Sequence, residues 1–560
     1  MTVLGLSPKA AGLGGGAWPV AALGLAAVLA IPVLVVIGHL VAPWGPTWAH
    51  LADTILVDIV VNTLWLIVGV GVGVAVIGTG TAWLVTMCEF RGRAVLEWAL
   101  ILPFAVPAYV IAYTYTDVLQ YAGPVQGALR AATGWGAEDY GFPNVRSLGG
   151  AIVMLVLVLY PYVYLVARTA FLQQSVCALD VGRTLGLGPW RGFVRIGLPL
   201  ARPAVVAGTA LALMEALADF GTVSYFGVQT FTTGIYKVWF SLGDRSAATQ
   251  LAALMMLVVL VVLALERAGR GSLRFDHGAR LFRPIRRLPL GGVRAAAAVA
   301  ACGVPPILGF VVPAGILLRM TLSVGDAQFG ARFVRLAANS VALAGTAALV
   351  AVSAAVVLAY AARLRPGRVT GLANRLAALG YAVPGSVIAV GVLVPLTAFD
   401  NALDAWARTN LGVSTGLLVT GGIAALVFAY VVRFLAGALN TVEAGFTRVN
   451  ESMDGAGRTL GAGPLAVLRR VHVPILKGSL LTAALLVFVD VLKELPATLI
   501  MRPFNFDTLA VQAYNLAADE RLAEASTSAL AIVAVGIGPV IVLTRAIARS
   551  RPGTRAGGVA

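Results

Sequence analysis

The sequence predicts an all-α membrane protein with about twelve transmembrane helices, arranged as two tandem six-helix domains. Of its 560 residues, 59% are hydrophobic and only 12% are charged, whereas soluble domains carry about 25% charged residues. Apolar stretches of about 20 residues, the length needed to cross a bilayer, recur along the chain. Segments of the first half also recur in the second half at offsets of 275 and 277 residues. This composition excludes a soluble enzyme or a nucleic-acid-binding domain as the main function.

The basic residues are concentrated in a few loops and indicate the orientation of the chain. The net charge is +16, and eight arginines lie between Arg267 and Arg294. Residues 43–57 contain no lysine or arginine, and residues 503–525 contain only Arg521. Such alternation follows the positive-inside rule, so we predict that 172–200 and 440–477 face the cytoplasm, as do both termini. The basic loops are expected to contact anionic lipid headgroups, not nucleic acid.

Twelve apolar runs are candidate membrane spans. The first is too long for the core of about 7–15 residues in a signal peptide, and we predict an uncleaved helix there. The predicted spans are 18–42, 62–87, 95–119, 148–170, 203–226, 247–265, 295–318, 338–361, 376–398, 416–438, 479–501 and 526–547.

The two halves of the chain repeat one another. AVPAYVIA (105–112) corresponds to AVPGSVIA (382–389), and GRTLGLGP (182–189) to GRTLGAGP (457–464). Asn62 and Asn339 occupy matching places at the start of the second and eighth spans. Because each half has an even number of spans, the repeats share one orientation and are expected to be related by an axis along the membrane normal.

The GRTLG segments lie in predicted cytoplasmic loops and have the pattern of a short, rigid helix. An acidic residue near its start complements the helix dipole, a later glycine permits a left-handed turn that ends it, and a proline suits the start of the next helix. Such a helix is suited to dock in a groove of a cytoplasmic partner. Its candidate residues are Asp180, Gly182, Arg183, Gly186 and Pro199 in the first half, and Asp454, Gly457, Arg458, Gly461 and Pro474 in the second.

Four carboxylates fall inside predicted spans five and eleven. Glu215 and Asp219, like Asp490 and Glu494, are four residues apart, which places each pair on one helix face. A carboxylate facing lipid at the bilayer centre costs about 2.5–3.5 kcal/mol, so all four should face protein or water. One interpretation is a translocation pathway; the other is interhelical hydrogen bonding and ion pairing, for example between Asp490 and Lys493.

The sequence predicts no catalytic residue, no cofactor and no firmly assigned metal site. The three cysteines, Cys88, Cys177 and Cys302, are scattered, and the four histidines form no cluster. No segment matches GxxxxGK[ST], so the chain is not expected to hydrolyse ATP through a P-loop. Energy for any transport would come from a separate ATPase subunit or an ion gradient.

The two GRTLG loops resemble the EAA–glycine–IxLP loop of binding-protein-dependent ABC importer permeases. The spacing is met in both halves, with Ile196-Gly197-Leu198-Pro199 and Val471-His472-Val473-Pro474 as the last element. The pattern departs where Asp180 replaces the glutamate and where Asp454 lies one residue early. Residues 213–254 and 491–526 are similar to ferric-iron permeases of the family that depends on a ferric-ion-binding protein, and the resemblance covers about 60–548.

The resemblance implies the membrane permease subunit of an ATP-driven importer in the bacterial inner membrane. Its partners would be two copies of a cytoplasmic ABC ATPase subunit and a periplasmic iron-binding protein delivering iron(III), a hard cation that favours oxygen ligands. The implied organisation is an N-terminal segment with the first transmembrane helix (1–60), a type-1 ABC transmembrane domain (61–266), a basic cytoplasmic linker (267–294), the seventh helix with its following loop (295–337), a second type-1 domain (338–548) and a cytoplasmic tail (549–560).

Other functions remain open at this stage. Importer permeases for thiamine, phosphonate-type substrates, polyamines and sulfate share the same architecture. Secondary transporters also often have six plus six spans, but they would not need two matched cytoplasmic loops. A membrane scaffold or sensor is disfavoured by the intramembrane carboxylates, which are pathway candidates by default.

Overall fold

The computed structural model describes residues 17–136, 138–173, 184, 188–270, 287–324, 330–447 and 449–549. In the first half the helices are α1 (Ala17–Gly38), α2 (Thr47–Thr54), α3 (Leu56–Met87), α4 (Arg93–Ala99), α5 (Ala108–Leu119), α6 (Pro124–Thr133), α7 (Leu148–Gln173), α8 (Pro189–Gly192), α9 (Leu198–Ala218), α10 (Gly221–Tyr225), α11 (Phe231–Phe240) and α12 (Arg245–Arg270). In the second half they are α13 (Gly292–Pro306), α14 (Val312–Val324), α15 (Ala331–Leu364), α16 (Arg368–Ala377), α17 (Gly385–Leu411), α18 (Ile423–Phe446), α19 (Glu451–Thr459), α20 (Pro464–Val467), α21 (Val473–Leu492), α22 (Pro496–Met501), α23 (Leu509–Ala518) and α24 (Leu522–Arg549).

The all-α membrane fold is confirmed. Within the described residues, eleven helices are long and apolar enough to cross a membrane, or twelve if a bent pair forms one span. The strands of this part of the chain are two short ones, β1 (Cys88–Glu89) and β2 (Leu288–Pro289), which pair in parallel. They join the end of α3 to the C-terminal part of the predicted basic linker.

The third predicted span, 95–119, is wrong as a continuous helix. The chain bends by 95° between residues 93–105 and 108–133, and Val106 and Pro107 at the bend have extended backbone. A proline disfavours the helical conformation of the residue before it, which explains the break. The ninth predicted span, 376–398, is interrupted in the same way, because Pro384 follows an extended Val383 and α17 begins at Gly385.

Each half contributes its first long helix to the other half. The helix α1 packs against α15, α16 and α17, whereas α13 packs against α3 and α4. The approach is close, since a Cβ on Gly391 of α17 would lie 2.5 Å from the carbonyl oxygen of Pro32 in α1. Small residues permit such backbone contact in membrane helices. The exchange of first helices therefore joins the halves into one body.

The matching asparagines hold equivalent loops. The side chain of Asn62 donates to the carbonyl oxygen of Gln229 at 3.1 Å, and that of Asn339 donates to the carbonyl oxygen of Asp507 at 3.1 Å. Each acceptor lies two residues before a short helix: Gln229 before α11 and Asp507 before α23. The internal repeat seen in the sequence is thus also a repeat of tertiary contacts.

A second anchor lies where α2 meets the start of α12. The Thr47 hydroxyl donates to Asp244 Oδ2 at 2.6 Å, and Trp48 Nε1 donates to Gln250 Oε1 at 2.5 Å. The backbone N–H of Ala247 also donates to Asp244, and together with Thr47 it lowers the pKa of Asp244 below its ordinary value. These bonds fix the loop between α1 and α3 on the rest of the first half.

Two π turns correct the prediction for Pro199 and Pro474. Each proline is the second residue of a helical segment, α9 or α21. Each segment continues a helix that begins ten residues before the proline, at Pro189 or Pro464. The π turns Phe193–Gly197 and Leu468–His472 join the pieces. A π turn shifts the hydrogen-bond register, so the proline is accommodated without ending the helix.

Candidate functional site

A cavity of about 290 Å³ lies between the two halves. Its wall includes the four carboxylates singled out in the sequence, and the structure therefore brings both predicted pairs together. Aromatic residues from both halves, including Phe104, Tyr162 and Tyr381, complete much of the wall. The charged residues that line it are Glu215, Asp219, Arg433, Asp490, Lys493 and Glu494.

The prediction that each carboxylate pair shares one helix is wrong. The helix α9 ends at Ala218, and Asp219 has extended backbone; α21 ends at Leu492, and Glu494 follows it. Asp219 and Glu494 occupy equivalent positions of the repeat, so both spans are interrupted at the same place. Hydropathy does not locate these breaks, because it is averaged over about twenty residues.

Each interruption places a carboxylate at the start of a short helix. Asp219 Oδ1 accepts from the backbone N–H groups of Thr222 and Val223, at 3.0 and 3.2 Å. Glu494 accepts from the N–H groups of Ala497 and Thr498, at 3.0 and 3.1 Å. Free N–H groups at a helix N-terminus favour a negative charge, and backbone groups within a membrane need internal partners. At each break the backbone N–H groups of the short helix donate hydrogen bonds to the carboxylate, and the carboxylate gives these N–H groups an acceptor.

Two cations also face the cavity. Arg433 Nη1 donates to Glu494 Oε1 at 2.9 Å, and Arg433 Nη2 lies 3.9 Å from Glu215 Oε2. Lys493 Nζ lies 3.1 Å from Asp490 Oδ1, which is the ion pair that the sequence offered as an alternative. The four carboxylates outnumber the two cations, so the fully ionised cavity has a net charge of −2.

Sequence reasoning missed Arg433, although a usable signal was present. It is the one charged residue in the predicted span 416–438, and intramembrane charges generally mark functional sites. Its equivalent in the first half is Val158, and the equivalent of Lys493 is Ala218. The carboxylates therefore follow the repeat, whereas both cations belong to the second half.

A buried phenol completes the oxygen-rich wall. Tyr109 lines the cavity and is 5% exposed, and its hydroxyl has no hydrogen-bond partner among the described residues. Its ring packs closely on the start of α10, since a Cβ on Gly221 would lie 2.6 Å from Tyr109 Cβ. The equivalent hydroxyl, that of Ser386, is also buried and unpartnered in the described structure. An unsatisfied hydroxyl in an oxygen-lined cavity is available to a ligand.

The second GRTLG segment forms the predicted short helix, α19. Gly461 follows it with φ of +77°, which confirms the left-handed turn proposed for this glycine. Gly457 lies against α20, because a Cβ there would be 2.8 Å from Val467 Cγ2. Arg458 is also on α19. In the first half, Asp180, Gly182, Arg183 and Gly186 lie outside the described residues.

Asp454 does not face outward from α19, as a dipole-complementing acid would. It is 7% exposed and binds two side chains of the second half. Arg363 Nε donates to Asp454 Oδ2 at 2.9 Å, and His472 Nε2 lies 2.6 Å from Asp454 Oδ1. Arg363 also donates to the carbonyl oxygens of Phe446 and Val449. This cluster fastens α19 to α15, to the end of α18 and to the π turn.

Aromatic rings support this region in both halves. Tyr360 and Phe446 stack with centroids 6.1 Å apart, and their equivalents Trp83 and Phe171 make an edge contact at 5.3 Å. The position of His472 is taken by Gly197 in the first half, where a Cβ would lie 2.5 Å from the Trp83 ring. The larger indole thus fills the space that the histidine occupies in the second half.

Three apolar side chains are exposed on and next to α19. Met453, Leu460 and Leu465 are 42%, 86% and 57% exposed. A rigid short helix with exposed apolar side chains at and beyond its end has the form of a protein-docking surface, since aliphatic and Met side chains commonly occupy interface cores. Within the described residues, no group of three or more His, Cys, Asp or Glu side chains is arranged to hold a metal ion.

Comparison with known proteins finds similarity to transport-system membrane components. Residues 75–268 match the family described as binding-protein-dependent transport system inner membrane component. The Fe(3+)-transport system permease protein FbpB 2 of Haemophilus influenzae is 26% identical over 500 residues, covering 88% of this chain and 90% of the relative. The ferric transport system permease protein FbpB of Actinobacillus pleuropneumoniae is 23% identical, covering 82% and 66%. The molybdenum transport system permease protein ModB of Escherichia coli is 28% identical over 204 residues, covering 34% and 86%.

Proposed function

We propose that this chain is the membrane subunit of an ATP-driven importer of iron(III), a proposal supported by the match of residues 75–268 to the family of binding-protein-dependent inner membrane components. The observation that carries the proposal is the cavity between the halves, where four carboxylates face two cations. Hard cations such as Fe³⁺ favour oxygen ligands, and the cavity offers carboxylate and phenol oxygens. The names of the relatives that cover most of the chain point to the same substrate.

An oxyanion is the second candidate substrate. It is favoured by Arg433 and Lys493, since guanidinium and ammonium groups bind oxyanions, and by the molybdenum permease among the relatives. Both cations, however, are paired with carboxylates, at 2.9 and 3.1 Å. The surplus of carboxylates repels an anion, so the electrostatics favour a cation.

The proposed partners would bind on opposite sides of the membrane. Two copies of an ATPase subunit would dock on the two GRTLG loops, one of which presents the exposed apolar side chains around α19. A periplasmic iron-binding protein would dock on the opposite face and release iron(III) toward the cavity. ATP-driven closure would then shift the two halves between inward-open and outward-open states, because the ATPase binds the two states differently.

The orientation can be checked by labelling. We expect 120–147, 227–246 and 503–525 to be periplasmic, and both termini, 172–200 and 440–477 to be cytoplasmic. Single cysteines at Ala132 and Gly188, both exposed, would be placed in a chain without Cys88, Cys177 and Cys302. An impermeant thiol reagent added to intact spheroplasts should label position 132 and leave position 188 unlabelled until the membrane is opened. Labelling in the reverse order would contradict the orientation.

The function is tested in the reconstituted complex with its ATPase and iron-binding protein. Wild-type liposomes should take up iron only with ATP and the iron-loaded binding protein. Glu215→Gln and Asp490→Asn keep shape but remove charge, and each should lower uptake about tenfold, the effect of losing one charged contact. Asp219→Asn and Glu494→Gln should also lower uptake, and all four should retain wild-type assembly.

A matched control tests whether the loss of uptake is specific to the carboxylates of the cavity. Asp53→Asn removes an exposed carboxylate on α2 and should leave uptake unchanged. Full uptake in all four cavity variants would rule out the pathway. Uptake driven by a proton gradient without ATP would instead support a secondary transporter, and ATP-dependent uptake of molybdate in place of iron would support the oxyanion importer.

A further inference from the structure

Arg433 is the one side chain of the cavity wall that forms ion pairs with both halves, within the described residues. It lies on α18 of the second half and is 8% exposed. Its short contact, 2.9 Å, is with Glu494 of its own half, and its long contact, 3.9 Å, is with Glu215 of the first half. The weaker contact is therefore the one that crosses between the halves.

The repeat indicates that the fold does not require an arginine at the position of Arg433. The equivalent position in the first half is Val158, which is buried, and the equivalent carboxylate, Asp219, has no cation in contact in the described structure. Asp219 is held by the N–H groups of Thr222 and Val223 and by the Thr222 hydroxyl. A carboxylate at this helix break is thus satisfied without an arginine.

We propose that Arg433 is an internal counter-ion that takes the place of the substrate cation at Glu215 while the pathway is empty. The ion pair between Arg433 and Glu215, at 3.9 Å, favours the resting arrangement, and entry of the metal cation frees Glu215 as an oxygen ligand. This inference rests on the proposed function, because it assumes that a cation passes through the cavity. It assigns to Arg433 a positioning role that a purely structural ion pair would not have.

The position of Arg433 along α18 connects this contact to the docking surface. From Arg433, α18 continues for 13 residues to Phe446, a distance of about 20 Å at 1.5 Å per residue. The helix α19 begins at Glu451, five positions after Phe446. Asp454 and Arg363 fasten α19 to the end of α18. A displacement imposed on α19 by an ATPase subunit would therefore move Arg433 relative to Glu215, which belongs to α9 of the other half.

The variant that tests the proposal is suggested by the chain itself. Arg433→Val gives the second half the residue that the first half has at the same place. Glu494 would keep three donors, the N–H groups of Ala497 and Thr498 and the Thr498 hydroxyl. We therefore expect the Arg433→Val complex to assemble with its ATPase and to melt close to the wild-type temperature.

The measurement is ATP hydrolysis by the reconstituted complex without binding protein or iron. A partly exposed ion pair at 3.9 Å shifts a two-state equilibrium by at most about fivefold, so basal hydrolysis in Arg433→Val should rise about two- to fivefold and depend less on the iron-loaded binding protein. Arg433→Lys, which keeps the cation, should restore most of the coupling. Arg408→Val removes an arginine that is 63% exposed on α17 and should behave as wild type.

A double-mutant cycle shows whether Arg433 acts through Glu215. Glu215→Gln should raise basal hydrolysis by itself, and Arg433→Val should add little in the Glu215→Gln background, because coupled residues are not additive. Wild-type basal hydrolysis in Arg433→Val or in Glu215→Gln would overturn the inference, as would fully additive effects. If the wild-type complex is not stimulated by the iron-loaded binding protein at all, the proposed function fails first. Since Glu215→Gln tests the same contact, the inference stays open to refutation even if Arg433→Val does not fold.

Discussion

Arg363→Ala should detach α19 from the membrane helices and abolish transport. Arg363 is partly buried and donates to Asp454 and to the carbonyl oxygens of Phe446 and Val449, all within 3.0 Å. Its removal leaves a buried carboxylate without its arginine partner and takes one donor from each of two carbonyls, of which that of Phe446 keeps the backbone N–H of Val449. Breaking a buried ion pair by removing one partner costs about 3–5 kcal/mol, so the melting temperature in detergent should fall clearly. Pull-down of the ATPase subunit should also be lost.

The neighbouring arginine provides the control for this prediction. Arg365 is exposed and lies two residues away, directly after α15, so Arg365→Ala removes the same charge from the same end of the helix without breaking the cluster. It should retain wild-type melting and wild-type uptake. Arg363→Lys should recover only part of the loss, because a single ammonium does not reproduce the planar fork of a guanidinium. Normal melting and uptake in Arg363→Ala would show that the cluster does not hold α19.

Gly461→Arg should uncouple transport while leaving the membrane helices folded. Gly461 has φ of +77°, a left-handed conformation that costs about 1–2 kcal/mol for a residue with a Cβ. The turn follows directly after Leu460, which is 86% exposed and belongs to the proposed docking surface. A shift of this turn would move Leu460 out of register with its partner. We expect iron uptake and ATPase pull-down to fall sharply, with little change in melting temperature.

Backbone strain can be separated from added charge at the next glycine. Gly463 has φ of −66°, and a Cβ there would meet nothing within 4 Å. Gly463→Arg therefore brings the same bulk and charge to the same loop without a left-handed backbone, and it should retain more uptake than Gly461→Arg. Gly461→Asn should be milder still, since asparagine tolerates this conformation. Equal loss in the two arginine variants would assign the effect to charge and contradict the turn argument.

The sequence by itself determined those features that follow from composition, periodicity and repetition. Low charge and long apolar runs require helices, since a bilayer leaves no other way to satisfy most backbone groups. The repeat placed Asn62 and Asn339 at matching positions, and each donates to a carbonyl oxygen of an equivalent loop in its own half. The glycine of the GRTLG segment predicted a left-handed turn, and Gly461 has one. The carboxylates could be placed together because a charge in lipid is costly.

Only the tertiary structure decided where the helices break and which charges meet. Hydropathy averages over about twenty residues, so it cannot detect an interruption of two residues at Pro107 or Asp219. Arg433 and Glu494 are 61 positions apart along the chain, and Arg433 and Glu215 come from different halves. Asp454 looked like a helix-capping acid, but its burial against Arg363 depends on a helix ninety-one positions away. Such pairings depend on the packing of distant helices, because an ionic contact is set by distances of a few ångströms that local sequence does not encode.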